Sequence, residues 1–342
     1  MGKILLDHKK ILILDVLGLG DLVMQTPFAK ALKEKYPTVT LSYVVKPIYK
    51  EILERLPFVD YVYTYYRSSF LEKLKMIPRL YGQDYVIFTN NQVQLLYLAK
   101  LLGIPYKIGT GNEKYIKQNL LQYRISNWVY DTPEYAAKTI TDEFCKGLNI
   151  DLNIDSTDIS ISVANTSEKN TVDGLLRDKN IMDGEYICLA PFTSYQRTYF
   201  PMKYAKTLVD KIENELKIPV VLIGGKSNYN DSLTIGGYNL VGKTTLMEMV
   251  EVIRRARVFI GPDSGPMHVA GALNVTSIAL FSRDLPSRWA PKKDNCHVIT
   301  VNMPCSPCSI EIAEACETRR CIKEVTPEWV FMTLKDVLQE GK

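Results

Sequence analysis

Two successive doubly wound α/β domains are predicted for this chain of 342 residues, and three observations carry the prediction. Short apolar runs alternate with helical patterns from end to end, as stacked βαβ units and parallel sheets require. The series restarts after a polar stretch near the middle. A hydrophobic content of 46% at this length is enough to build two cores.

In the first series the candidate strands are Ile11 to Leu14, Leu41 to Val45, Tyr61 to Thr64, Tyr85 to Phe88 and Tyr106 to Ile108, with helices such as Phe28 to Lys35 and Gln92 to Leu102 between them. The second series has strands at Tyr186 to Ala190, Val220 to Ile223, Asn239 to Val241, Val258 to Ile260, Ser277 to Phe281 and His297 to Val301. Its helices fall at Lys203 to Glu215, Leu246 to Arg255 and Met267 to Leu273, and Thr326-Pro327-Glu328 starts a last one running through Trp329 to Leu338. The polar run Ser162 to Thr171 is read as the linker. The expected division is therefore 1–165, 172–325 and a terminal helix over 326–342. Ligands of open α/β sheets lie outside the carboxyl ends of strands, so the two domains are expected to face a central cleft.

Composition narrows the function classes. Seven cysteines are too few for a disulfide scaffold, and Cys145 and Cys188 lie in apolar surroundings typical of buried thiols, so a cytoplasmic home is expected. Asp15 cuts the first apolar run after four residues, which makes that run a strand rather than a signal segment. No stretch approaches the roughly 18 uncharged apolar residues of a spanning helix, and Leu6 stands where a myristoylation signal has Ser or Thr. Net charge is +4, but residues 1–124 hold 18 Lys and Arg against 10 Asp and Glu. Aromatics interleave with that charge in Tyr61 to Arg67 and aliphatic residues in Lys73 to Arg79, which suits an anionic acceptor or the inner face of a membrane, or is simply a solvated basic face. No nucleic-acid reader motif accompanies it, so nucleic acid is not an expected partner.

The most informative segment runs from Gly261 to Leu273. Val258-Phe259-Ile260 reads as a strand, Gly261 and Pro262 end it, and Asp263 or Ser264 can accept a hydrogen bond from the unpaired amides of the next helix. Gly265 lets backbone approach a ligand, and His268 sits about one turn in. Freed N–H groups and the positive end of the helix dipole make such a start an anion site. Strand–turn–helix junctions of this composition are also ordinary connectors.

Two glycine patterns compete for the same phosphate. Gly18-Leu19-Gly20-Asp21 follows the first strand, but Val23 replaces the third glycine of a dinucleotide fingerprint and Val45-Lys46-Pro47 offers no acid after the second strand. Gly237 to Thr244 satisfies the G-x-x-x-x-G-K-[ST] expression of a P-loop, yet Asp231 to Ile235 is a poor strand before it and Tyr238 to Val241 reads as one inside it. A P-loop phosphotransferase stays as an alternative reading.

With Gly18-Leu19-Gly20-Asp21 near the start, Thr193-Ser194 after the sixth strand, Gly224-Gly225 after the seventh and Asp263-Ser264-Gly265-Pro266-Met267-His268 late, the chain resembles glycosyltransferase family 9, the bacterial heptosyltransferases of lipopolysaccharide assembly. Arg288-Trp289-Ala290-Pro291 and Pro304-Cys305-Ser306-Pro307-Cys308 extend the likeness. The resemblance implies a GT-B fold of two Rossmann-like domains, an N-terminal domain receiving a saccharide or lipid-linked acceptor, a C-terminal domain binding an ADP-sugar, and inverting transfer without a catalytic metal or other required cofactor. It implies Asp21 as general base, with Gly18 and Gly20 beside it. It also implies Thr193, Ser194, Gly224, Asp263, Ser264, Gly265 and His268 around the donor. An inverting transfer needs a carboxylate to take the acceptor hydroxyl's proton, although Asp21 can equally be a helix cap. Two positions depart from the family. Asp15 stands where a basic residue is usual, and Thr198 where a Lys is usual, with Arg197 as a neighbouring substitute. A protein that binds nucleotide sugars without turnover is the remaining alternative.

Cys305, Cys308, Cys316 and Cys321 fall within seventeen residues. They could hold a structural Zn²⁺ in a tetrahedral thiolate site, or be free thiols of a surface loop.

Overall fold

The computed structural model describes residues 6–66, 70–125 and 133–340, and the chain divides into two compact units, Met1–Ser162 and Val163–Lys342. Arg67, at the end of the predicted basic and aromatic stretch, lies outside the described residues.

The first unit holds a six-stranded parallel sheet of β1 (Lys10–Leu14), β2 (Thr40–Val45), β3 (Tyr61–Thr64), β4 (Tyr85–Phe88), β5 (Tyr106–Gly109) and β6 (Tyr123–Arg124), in the order β3-β2-β1-β4-β5-β6. The second repeats that order with β7 (Ile187–Leu189), β8 (Val220–Leu222), β9 (Tyr238–Asn239), β10 (Val258–Pro262), β11 (Ser277–Phe281) and β12 (Cys296–Thr300), arranged β12-β11-β10-β7-β8-β9. Each is the doubly wound 3-2-1-4-5-6 order. Its reversal falls between β1 and β4, paired from Ile11↔Tyr85 to Leu14↔Phe88, and between β7 and β10, paired from Ile187↔Val258 to Leu189↔Ile260. Every residue of β4, β7, β8, β10 and β11 is buried, because crossover helices cover both faces of a parallel sheet. That is why these strands read as unbroken apolar runs.

The predicted linker is corrected at its second half. Thr166–Arg177 is a helix whose Asn165 side chain accepts from Glu168 N at 3.0 Å while the Glu168 carboxylate accepts from Asn165 N at 2.7 Å. The polar residues taken for linker are a reciprocal N-terminal cap, worth about 1 kcal/mol at its Asn alone. Arg255 ties this helix to Leu246–Arg254, pairing with Asp173 and, at 2.6 Å, with the fully buried Glu251. The last helix, Pro327–Glu340, puts Val330, Phe331 and Leu334 into the second unit's core and pairs Glu328 with Lys211 at 2.8 Å.

The P-loop-like segment is not a phosphate cradle. β9 lies inside it, Gly237 and Gly242 adopt positive φ of 69° and 71° at either end of that short strand, and Lys243 Nζ donates to Asn239 O at 2.8 Å. The following helix starts only at Leu246, capped by Thr245. Among the described residues no helix is long and apolar enough to cross a membrane.

Candidate functional site

At the exit of β1 the chain turns through Asp15 to Gly18 into the helix Leu19–Met24. The Asp21 carboxylate accepts from Gly18 N at 3.0 Å, and a side chain at Gly18 would bring a Cβ within 3.1 Å of that oxygen. The cap residue is thus Gly18, and Asp21 sits half-buried on the first turn with Gly20 beside it. Asp15 is wholly buried: its Oδ1 accepts from Leu17 N at 2.8 Å and its Oδ2 from Gln25 Nε2, which also donates to Asp21 O at 3.1 Å. Burial and then the neighbouring charge of Asp21 push the Asp15 carboxyl up to about 7. Two phenols line the same place. Burial and the Asp15 charge raise Tyr43; burial, then Asp21, raise Tyr49, which accepts a hydrogen bond from the Leu19 backbone.

At the exits of β7 and β10 the second unit places the other predicted residues. Thr193 Oγ1 is spent on its own loop, donating to Tyr195 O at 2.8 Å, accepting from Tyr195 N at 3.1 Å and lying 2.6 Å from Thr198 Oγ1. Ser194 and Arg197 are exposed, and Arg197 Nη1 donates to Cys316 O at 2.8 Å. Gly224, after β8, makes room for the Phe192 ring, which would lie 2.7 Å from an added Cβ. Beyond it Lys226, Tyr229, Asn230 and Lys243 line a pocket of about 370 Å³.

The helix Gly265–Ala272 begins directly beyond β10, and its expected side-chain cap is absent. Ser264 Oγ donates back to Pro262 O at 3.0 Å instead, because the fully extended Ser264 turns its hydroxyl toward the strand (φ −163°, ψ 170°). Met267 N donates to Ser264 O at 3.1 Å and Pro266 has no N–H, so of the first three helical residues only Gly265 keeps an amide for another acceptor. His268 is 3% exposed, with Nε2 3.7 Å from Asp263 Oδ1, its ring edge-on to Trp289 at 6.4 Å, and no partner for Nδ1 among the described residues. Asp263 N donates to Leu280 O at 3.2 Å, which docks this turn beside the end of β11.

Sequence reasoning missed the charged pair just beyond β11. Arg283 donates from Nε to Asp284 Oδ2 at 2.8 Å, its Nη2 lies 2.7 Å from the same oxygen, and its guanidinium stands 5.6 Å from the centre of the Tyr195 ring. Burial, then the charge of Asp263, push the Asp284 carboxyl up to about 6 against the pull of Arg283. The available signal was an Arg-Asp pair immediately after a buried strand.

The zinc expectation is not met by the geometry. No group of three or more His, Cys, Asp or Glu side chains among the described residues is arranged to hold a metal ion, and all four cysteines of the segment are free thiols. The helix Ile310–Ala315 occupies the spacer between Cys308 and Cys316. Cys316 Sγ instead accepts from Arg319 N at 3.4 Å and lies 3.6 Å from Thr318 Oγ1, contacts that hold its thiol below the usual range.

Comparison with known proteins places these features in a family. Lipooligosaccharide heptosyltransferase 2 of Campylobacter jejuni is 29% identical over 106 residues, 30% of this chain and 32% of that protein, so the matched stretch spans about a third of that relative's length. A family 9 glycosyltransferase from Veillonella parvula superposes with a TM-score of 0.85 at 18% identity, over 99% of this chain and all of that one. The ADP-heptose LPS heptosyltransferase II of Escherichia coli superposes with a TM-score of 0.73 at 20% identity, over 97% of this chain and all of that one. At such identities the likeness is one of fold, and that fold is GT-B, as the sequence implied. The family model for glycosyltransferase family 9 (heptosyltransferase) matches residues 73–316, a span that contains the Asp263–His268 turn and leaves Asp21 outside. This chain belongs to glycosyltransferase family 9.

Proposed function

We propose that the protein is an inverting glycosyltransferase that moves a heptose-like sugar from an ADP-activated donor to a lipopolysaccharide-core or related saccharide acceptor. The observation that carries this reading is the uncapped helix start at Gly265, set at the reversal point of the second sheet with the unpartnered Nδ1 of His268 one turn in. A diphosphate is the ligand such a place suits: it accepts from the Gly265 amide and an imidazole, and the helix dipole favours its charge. Fixed donors of this kind stabilise the leaving nucleoside diphosphate without a metal. Membership of a family named for heptosyl transfer, and likeness to a protein whose name includes ADP-heptose and LPS, support the choice of donor and acceptor.

Asp21 is the base in this reading. Its carboxylate accepts from Gly18 N at a half-buried site beside the Tyr49 phenol, a setting in which a carboxylate can take the acceptor hydroxyl's proton as that oxygen attacks the anomeric carbon. The acceptor is anionic or lipid-linked and is met by the basic N-terminal part, which puts the enzyme in the cytoplasm at the inner membrane face. A binding screen of ADP, UDP, GDP and CMP, followed by their sugars and by transfer assays with lipopolysaccharide-core acceptors, tests the proposal. ADP is expected to bind best; selective binding of another nucleotide would refute the donor, and donor binding without transfer would favour a non-catalytic binding protein.

A further inference from the structure

A diphosphate carries more charge than one imidazole and one helix-start amide balance, so the donor site of the proposed function calls for a cation. Arg197 stands in the predicted loop but turns its Nη1 to Cys316 O and is exposed, and Thr198 is tied to Thr193. Arg283 is differently held. It follows β11, the strand beside β10, so the backbone bond from Asp263 to Leu280 brings the two loops side by side. Its side chain is only 13% exposed, pinned on one edge by Asp284 through Nε and Nη2 and lying by the face of Tyr195, which belongs to the Thr193 loop. Its Nη1 has no hydrogen bond to protein among the described residues. A guanidinium fixed on one edge and open on the other is pre-set for a phosphate oxygen. Ser306 Oγ, donating to Ser282 O at 3.0 Å, steadies the backbone just before it.

We propose that Arg283 is the cation that meets the donor's diphosphate, presented by Asp284 and Tyr195 between the Thr193–Thr198 loop and the Asp263–His268 turn. The inference rests on the ADP-sugar donor of the proposed function. Asp284 and Tyr195 are positioning residues: the first fixes the plane of the guanidinium, the second limits its swing. The buried Nδ1 of His268 supplies a second, independent contact for the same ligand.

Calorimetric titration of ADP and of adenosine into wild type, Arg283→Ala, Arg283→Gln and Arg197→Ala tests this. Both Arg283 variants are expected to lose ADP affinity by roughly 10- to 100-fold, the worth of a charge-assisted hydrogen bond or two, while adenosine affinity holds. Arg283→Gln keeps a donor for Asp284, so its loss reports charge rather than damage to the loop. Arg197→Ala is expected to lose less than about threefold, as an exposed cation does. Unchanged ADP affinity in both Arg283 variants, or an equal loss for adenosine, overturns the proposal. Absence of ADP binding by wild type overturns the donor reading itself and takes this inference with it.

Discussion

Where β1 ends, the chain gathers two carboxyl groups and two phenols; where β10 and β11 end, it gathers an imidazole, an arginine and two carboxyl groups around a helix start without a side-chain cap. Both places lie beside the reversal point of a sheet with the same strand order. Topology thus supplies a crevice twice, and the residues in the first loop after each strand decide what it does. In the proposed reading the first crevice takes a proton and the second holds an anion. On that reading the repeated architecture divides the labour within one chain.

The contrast breaks most sharply at Asp21. Asp21→Asn keeps an acceptor for Gly18 N but cannot take a proton, so transfer is expected to fall by about 10²- to 10⁴-fold while ADP affinity, measured by calorimetry, stays near wild type. Retained transfer would move the base elsewhere. His268→Ala acts on the other crevice and is expected to weaken ADP binding by roughly tenfold, one charge-assisted contact, with a matching rise in donor KM in steady-state assays.

Asp15 sharpens the comparison through pH. Its folded-state value of about 7 lies above the ordinary 3.8, so protonated Asp15 supports the fold fully below about pH 4, and that support is lost as pH rises through 7. Asp15→Asn should therefore raise the melting temperature at pH 8 by several degrees, a gain of a few kcal/mol at most, and the two proteins should converge near pH 4. A wild type equally stable at both pH values, with no gain in the variant, would contradict a buried carboxyl under strain of charge. The smallest effect is expected at Lys243. Lys243→Ala should change transfer by less than about threefold, since an exposed lysine bonded to Asn239 O contributes little, and loss of activity in a coupled transfer assay would revive the phosphotransferase reading.

Much of this was legible along the chain for a physical reason. Strands buried on both faces appear as short apolar runs, and Tyr85–Phe88 and Ser277–Phe281 are found at the predicted residues, as is the edge strand Tyr61–Thr64. β6 escaped because two residues of an edge strand carry no run, and the Thr166 helix escaped because polar capping residues resemble a linker. The same holds at the site. Asp21 and the Asp263–His268 turn stand out as glycine and acid after an apolar run. Arg283 and Asp284 do not, because they are placed beside Asp263 by the lateral pairing of β10 with β11, about twenty residues apart in sequence. Thr193 is an example of what a sequence leaves out: a hydroxyl after a strand can serve a ligand, and here it also donates to Tyr195 O and accepts from Tyr195 N within its own loop.

Cys316 has a practical meaning for anyone handling the protein. Thiolate, not thiol, is the reactive form, and the seven cysteines do not share it equally. Burial pushes Cys145 up to about 12 and Cys188 higher still, whereas the Arg319 amide and the Thr318 hydroxyl draw Cys316 down at the surface. An alkylating reagent or mild oxidant will mark Cys316 before it reaches the core thiols, and because the Cys316 carbonyl is the anchor of Arg197, a dye attached there sits one residue's reach from the Thr193–Thr198 loop. The segment first considered as a metal site thus offers a labelling position beside the loop that the proposed function gives to the donor.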